Sequence, residues 1–185
     1  MGELKLYMLL LGCRPPGRHV EQHDFFFGIA PSLKALIPDI KYFWPENKGN
    51  IHIDAWREVT AVNGYKVDVV KQTPANQTQT LFFINLGGYL PEKFEEQHYT
   101  LLTVQPSLAS VTKYAKETDF YQHNHFGNAV SHIDDKYGID VDDVFKIQDI
   151  LPAFQKTLYH IQLTPAESLV EDEIHLGYLP LGKIE

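Results

Sequence analysis

The chain has 185 residues, 44% hydrophobic and 22% charged, with a formal net charge of −8, a composition that excludes intrinsic disorder and suits one core or two small ones. The acidic balance argues against nucleic-acid binding, which takes a surplus of Lys and Arg, and the longest apolar run, residues 6–11, is far short of the roughly 20 residues of a membrane span. The lone cysteine, Cys13, allows neither an internal disulfide nor a multi-thiolate metal site, so a reducing, cytoplasmic setting is expected.

The first predicted strand covers residues 6–11 and leaves through Gly12 into Pro15-Pro16-Gly17. Its Leu-Leu-Gly-Cys ending resembles a lipoprotein processing site. However, a signal peptide needs an apolar core of roughly 7–15 residues behind a positive lead-in, and here Glu3 offsets Lys5. A second strand starts near Glu21-Gln22-His23 and runs through Phe25-Phe26-Phe27. Pro31-Ser32-Leu33 stops it, and the Ser32 hydroxyl is placed to cap the first turn of a helix. Leu33, Leu36, Ile37 and Ile40 recur at helical spacing, although Pro38 is expected to bend or end that helix early. Strands follow at residues 53–62 and 65–70. Between them Asn63-Gly64 is the strongest hairpin signal in the chain, because both residues tolerate positive φ. Residues 71–80 are polar and aperiodic and read as a linker.

At residue 81 the pattern begins again. Residues 6–33 lie over 81–108 without a gap, and ten of the 28 positions are identical, among them Gly12/Gly87, Glu21/Glu96, Gln22/Gln97, His23/His98 and Ser32/Ser107. Chance supplies roughly two. The triplet His52-Ile53-Asp54 recurs as His132-Ile133-Asp134 after five extra residues. A period this long with two copies indicates a paired domain, not a solenoid. It also removes the lipoprotein reading, since residues 81–88 occupy the same place mid-chain. In the second copy strands are predicted at 81–86, 96–102, 144–147 and 159–163, with a helix from Leu108 through Val111 and Tyr114/Ala115 capped by Ser107. The tail carries an acidic Glu171-Asp172-Glu173 and then a Gly-Tyr-Leu-Pro echo of residues 88–91, expected to form an extra strand docking on the other copy.

The ordered set Leu-Gly-[Gly/Cys]-x-x-Pro, Glu-x-His, His-x-Asp and a Gly-Tyr hairpin resembles the bacterial family named domain of unknown function 1543, over about residues 5–163 and in two copies. Cys13 departs from the usual glycine, and the second copy has Gln155-Lys156-Thr157 near the place of the Asn-Gly turn. The resemblance implies an architecture and carries no established activity.

Candidate chemistry sits on the repeated pairs. Glu21 and His23, like Glu96 and His98, are two residues apart at the start of a strand and so project from one face; His52/Asp54 and His132/Asp134 share that spacing. Carboxylate beside imidazole serves for ligand binding, for proton transfer or as the nitrogen and oxygen ligands of a metal, while the commoner role of such a pair is to hold a loop; metal comes last of these and none is assigned. His123, His125 and His132 could in principle hold a borderline metal, but no matching group exists in the first copy and a solvated polar loop is the expectation. Cys13 follows Gly12 at a strand end, where nucleophiles do sit; Gly88 in the second copy makes it a bystander. Gly87-Gly88 lacks the continuation of a phosphate loop, Asp140-Val141-Asp142-Asp143 lacks the spacing of a calcium loop, and the numerous aromatic side chains are expected in cores.

The fold expected is α+β, an internal duplication of a ββαββ-like unit about a pseudo-two-fold axis, with helices on a mixed or antiparallel sheet: a first repeat over 1–72, a linker over 73–80, a second repeat over 81–163 and a C-terminal extension over 164–185. The function expected is an uncharacterised binding module for a small ligand or a protein partner, in a groove where Glu21, His23, His52, Asp54, Glu96, His98, His132 and Asp134 converge. No nucleic acid or membrane is expected as a partner, and no cofactor or oligomeric state is indicated. The alternatives are a hydrolase or metal-dependent lyase using the same pairs, and a structural or assembly protein.

Overall fold

A computed structural model describes residues 2–47, 50–89, 92, 94–118 and 144–185. The fold is α+β, and every strand pairing is antiparallel. The chain divides into two compact units, residues 1–75 with 150–185, and residues 76–149. Residues 150–163, placed in the second repeat by sequence, thus belong in space with the first unit. Similarity along the chain and compactness in space group them differently.

In the first unit β1 (Lys5–Cys13) is central, flanked by β2 (Gln22–Ala30) on one side and β3 (His52–Glu58) on the other. Its side chains alternate between two covered faces, so it reads in sequence as a nearly unbroken apolar run. Tyr7, Leu9, Leu11 and Cys13 share one face and form the core with Phe26, Ile53 and the helical residues Leu33, Leu36 and Ile40. Ser32 caps as expected, its Oγ accepting from the Ala35 amide at 3.4 Å, but what it caps is a 3-10 turn, Leu33–Leu36. Helix α1 (Ile37–Phe43) starts just ahead of Pro38, which corrects the expectation that this proline bends or ends the helix. In a first turn the missing N–H has no intrahelical acceptor to lose, and the fixed φ is already helical.

After β3 the chain turns through β4 (Ala61–Val62) into β5 (Tyr65–Val70). Asn63 and Gly64 take φ of 50° and 77°, as a tight hairpin requires. Strand β5 pairs along its length with β9 (His160–Pro165), and β10 (His175–Pro180) adds to the outer edge of β3. The expected extra strand therefore exists and docks on the first repeat. Asp172, within the acidic run, anchors the approach: its Oδ1 accepts from the Thr60 amide at 3.0 Å and from Thr60 Oγ1 at 2.6 Å.

The second unit restates the opening. Strands β6 (Thr80–Tyr89) and β7 (Glu96–Gln105) pair in the register of β1 and β2, each partnership shifted by 75 residues: Leu6↔Ile29 becomes Leu81↔Val104, and Gly12↔His23 becomes Gly87↔His98. Helix α2 (Leu108–Lys116) is capped by Ser107 Oγ, which accepts from the Ser110 amide at 3.2 Å. Val111 and Ala115 face Phe82, Ile84 and Leu86, the counterparts of Tyr7, Leu9 and Leu11. Leu108, expected on the buried stripe, is exposed. Strand β8 (Val144–Lys146) pairs with the other side of β6. Two short helices follow in the chain, α3 (Ile147–Ile150) and α4 (Ala153–Leu158), the latter where an Asn-Gly turn stands in the first copy.

Among the described residues no helix is long and apolar enough to cross a membrane.

Candidate functional site

Strand alternation that turns Cys13 into the core turns Gly12 to the opposite face of the sheet. Cys13 is fully buried, and burial, with the charge of Glu21 and then Glu46, pushes its thiol pKa up; this is the wrong direction for a nucleophile. The site belongs to the other face. There Gly12 pairs with His23 on β2 and with His52 on β3, so three residues stand in line across three strands. Glu21 shares the face of His23. Asp54 shares the face of His52 and is the extra residue of a β-bulge, because the β1–β3 register slips between Leu10 and Leu11.

The two histidines are separated by a residue without a side chain, and that gap lets the rings and carboxylates meet. A Cβ at Gly12 would lie 2.4 Å from Asp54 Oδ2 and 2.4 Å from His52 Nε2, nearer than any real contact. Over this glycine each carboxylate reaches both imidazoles. Asp54 Oδ2 lies 3.2 Å from His23 Nε2 and its Oδ1 3.3 Å from His52 Nε2. Glu21 Oε1 lies 3.3 Å from His52 Nε2 and its Oε2 3.9 Å from His23 Nε2. The environment is graded: the His52 side chain is 7% exposed, Asp54 26%, Glu21 44% and His23 45%. The site thus has a buried floor and a solvent-facing rim.

These approaches are close, yet they do not complete the polar groups. His52 Nε2 and Asp54 Oδ2 are both buried and neither has a hydrogen-bond partner. A buried polar atom left unpaired costs about 1–3 kcal/mol, and two in one cluster mark a place shaped for something other than internal pairing. Two carboxylates and two imidazole nitrogens give the cluster acceptor atoms that suit a cation or a hydrogen-bond donor. The four are a polar cluster and not a finished coordination shell: among the described residues no group of three or more His, Cys, Asp and Glu is already disposed to hold a metal ion.

The tail strand roofs one side. Tyr178 lies with its ring 4.3 Å from that of His52, and His175 stacks on Trp56 at 3.9 Å and 12°. Neither contact was legible in sequence, where the tail was a strand expected to dock on the other copy with no residue contacts assigned. Gly12 was legible as an identity shared with Gly87, but its role needs the register that sets it between two histidines.

In the second unit the positions divide. His98 pairs with Gly87 across β6–β7, as His23 does with Gly12, and its Nδ1 lies 3.2 Å from Asn85 Nδ2, an amide donor. The side chain of Glu96, and His123, His125, His132, Asp134 and Asp140–Asp143 as whole residues, lie outside what is described. The structure therefore brings together Glu21, His23, His52 and Asp54, which lie within the first unit. Gly87 and Gly88 are strand residues, not a phosphate loop.

Residues 18–69 match the family model described as Domain of Unknown Function (DUF1543), a stretch that contains all four residues of the cluster. No curated protein matches the chain. Among solved structures the chain is similar to that titled "Crystal structure of a protein Il1583 from Idiomarina loihiensis", with a TM-score of 0.65 and 19% identity, covering 97% of this chain and 98% of that one. At that identity the likeness concerns the fold.

Proposed function

We propose that the protein is a cytoplasmic binding module for a small polar ligand, taken up over Gly12 by Glu21, His23, His52 and Asp54. The observation that carries this reading is the pair of buried, unpartnered atoms, His52 Nε2 and Asp54 Oδ2, beneath a half-exposed Glu21 and His23. A ligand that donates to Asp54 and engages the imidazoles recovers what those atoms lose on burial. The chain is read as two copies of one unit on the strength of the shared register of β1–β2 and β6–β7. On that reading Glu96, His98, His132 and Asp134 are the corresponding set of the second copy.

The test is a thermal-shift screen of small polar metabolites and of divalent cations on the wild-type chain, Asp54→Asn and Gly12→Ala. The reading expects a compound that raises the melting temperature of the wild type and has lost that effect in both variants. A screen whose only stabilising compounds act equally on all three proteins, or that has none, overturns it.

One observation favours a second reading, an acid–base enzyme such as a hydrolase. His52 Nε2 lies 3.3 Å from each of two carboxylates, the arrangement in which an imidazole can be held while it passes a proton. Turnover of a bound compound that Asp54→Asn abolishes while binding persists would establish it.

A further inference from the structure

The small ligand of this site, we infer, is a divalent transition-metal cation of the zinc class, held by His23 Nε2, His52 Nε2 and the carboxylates of Asp54 and Glu21. The inference rests on the ligand-binding reading above and narrows it to one chemistry. Two imidazoles and two carboxylates are the nitrogen and oxygen donors that suit borderline divalent metals.

Geometry decides between a metal and internal ion pairs. An imidazolium pairing with a carboxylate aims its N–H along the line to the oxygen. His52 Nε2 has two carboxylate oxygens at 3.3 Å and forms a hydrogen bond with neither, and Asp54 Oδ2 sits 3.2 Å from His23 Nε2 and is likewise unpaired. Atoms that come this near without hydrogen-bonding to one another leave a shared third partner to satisfy them. A tetrahedral centre with bonds of about 2.1 Å holds its donors about 3.4 Å apart. Three of the four nitrogen–oxygen separations are 3.2, 3.3 and 3.3 Å. The fourth, His23 to Glu21, is wider, at 3.9 Å. Closing it falls to the two side chains with most exposure, Glu21 at 44% and His23 at 45%, while the buried His52 supplies the fixed point.

Gly12 completes the argument. A side chain there would occupy the space over which the four donors lean, so the glycine leaves room for an ion without adding a donor. Either pair alone, Glu21 with His23 or His52 with Asp54, supplies two donors, and two donors do not make a site. Four brought over one glycine do.

The test titrates zinc into the full-length chain after dialysis against chelator, by calorimetry, and repeats it with Asp54→Asn, His23→Gln and His98→Gln. Cobalt(II) is added in parallel to read tetrahedral coordination from its visible absorption. Expected is a saturable site tighter than about 100 μM, weakened at least about tenfold by Asp54→Asn and by His23→Gln and kept in His98→Gln. The circular dichroism of the variants is expected to match the wild type. No saturable zinc site, or one that Asp54→Asn and His23→Gln leave unchanged, or one that only His98→Gln removes, overturns the metal. If zinc fails while a metabolite still stabilises the protein in an Asp54-dependent way, the metal is wrong and the ligand-binding reading stands. If both fail, both fall.

Discussion

The sheets opened by β1–β2 and by β6–β7 share register, helix cap and core face, yet they surround their equivalent histidines differently. Position 10 of the first is leucine and its counterpart Asn85 donates to His98, whereas His23 faces the carboxylate of Asp54. Position 7 is a tyrosine whose hydroxyl donates to Glu58 at 3.3 Å, and its counterpart is Phe82. Two strand pairs of the same register thus keep their backbone pairing, which many residues enforce together, while single side chains differ and change the chemistry around a histidine without disturbing the sheet.

The largest expected effect comes from a contact of the first unit. Gln155 is buried; its Oε1 accepts from the Ile29 amide at 2.7 Å and its Nε2 donates to Asp39 Oδ2 at 3.0 Å. Gln155→Leu leaves both groups unpaired, at about 1–3 kcal/mol each, so a loss of about 2–6 kcal/mol is expected in denaturant titration. Exchange of the Ile29 amide should quicken while the amides of β6 and β7 keep their protection. Equal loss of protection in both sheets would show that the contact does not act on β2 alone.

Next in size is the alkaline response. Burial, then the charge and hydrogen bond of Glu58, push the Tyr7 pKa up to about 12 from 10.0, so the fold prefers the protonated phenol. Its stability is intact below pH ~10 and is lost as pH rises from about 10 to 12, by about 2–3 kcal/mol at the upper limit. In Tyr7→Phe, which gives β1 the residue of β6, that alkaline loss should shrink, as read by melting temperature against pH. A profile identical to the wild type would remove Tyr7 as its source.

Gly12→Ala should cost about 1 kcal/mol, because the displaced atoms are side-chain ends, within the usual range for point substitutions. It should nonetheless remove all binding at the site. A variant that binds normally would place the ligand elsewhere. Smallest are His23→Ala and His98→Ala, both at exposed positions, expected within about 0.5 kcal/mol of the wild type. A loss above about 1 kcal/mol in both would mark the histidines as structural members of the two sheets and take away the main support for binding.

Much of this was legible along the chain. Apolar runs ending in glycine located β1 and β6, the two serines located the helix starts, and Asn63-Gly64 located a hairpin; each signal is local, and local geometry obeys it. Glu21 with His23 and His52 with Asp54 were readable as pairs for the same reason. Pro38 was misread because a proline ends a helix from within and begins one from its first turn, and the residues beside it do not say which. The bulge at Asp54, the docking of β10 and the insertion of Gln155 beside β2 left no local mark.

The amino-acid order alone thus determined the main strands and the serine-capped helix starts, since sterics and alternation act between near neighbours, whereas the short helices α3 and α4 had no such signal. Only the tertiary structure decided that four polar residues meet over Gly12. That meeting depends on β3 lying against β1 with one residue bulged and on β10 closing the edge over His52. Such pairings join residues about 40 to 120 positions apart, and their choice is made by burial summed over the whole first unit, which no short stretch of sequence contains.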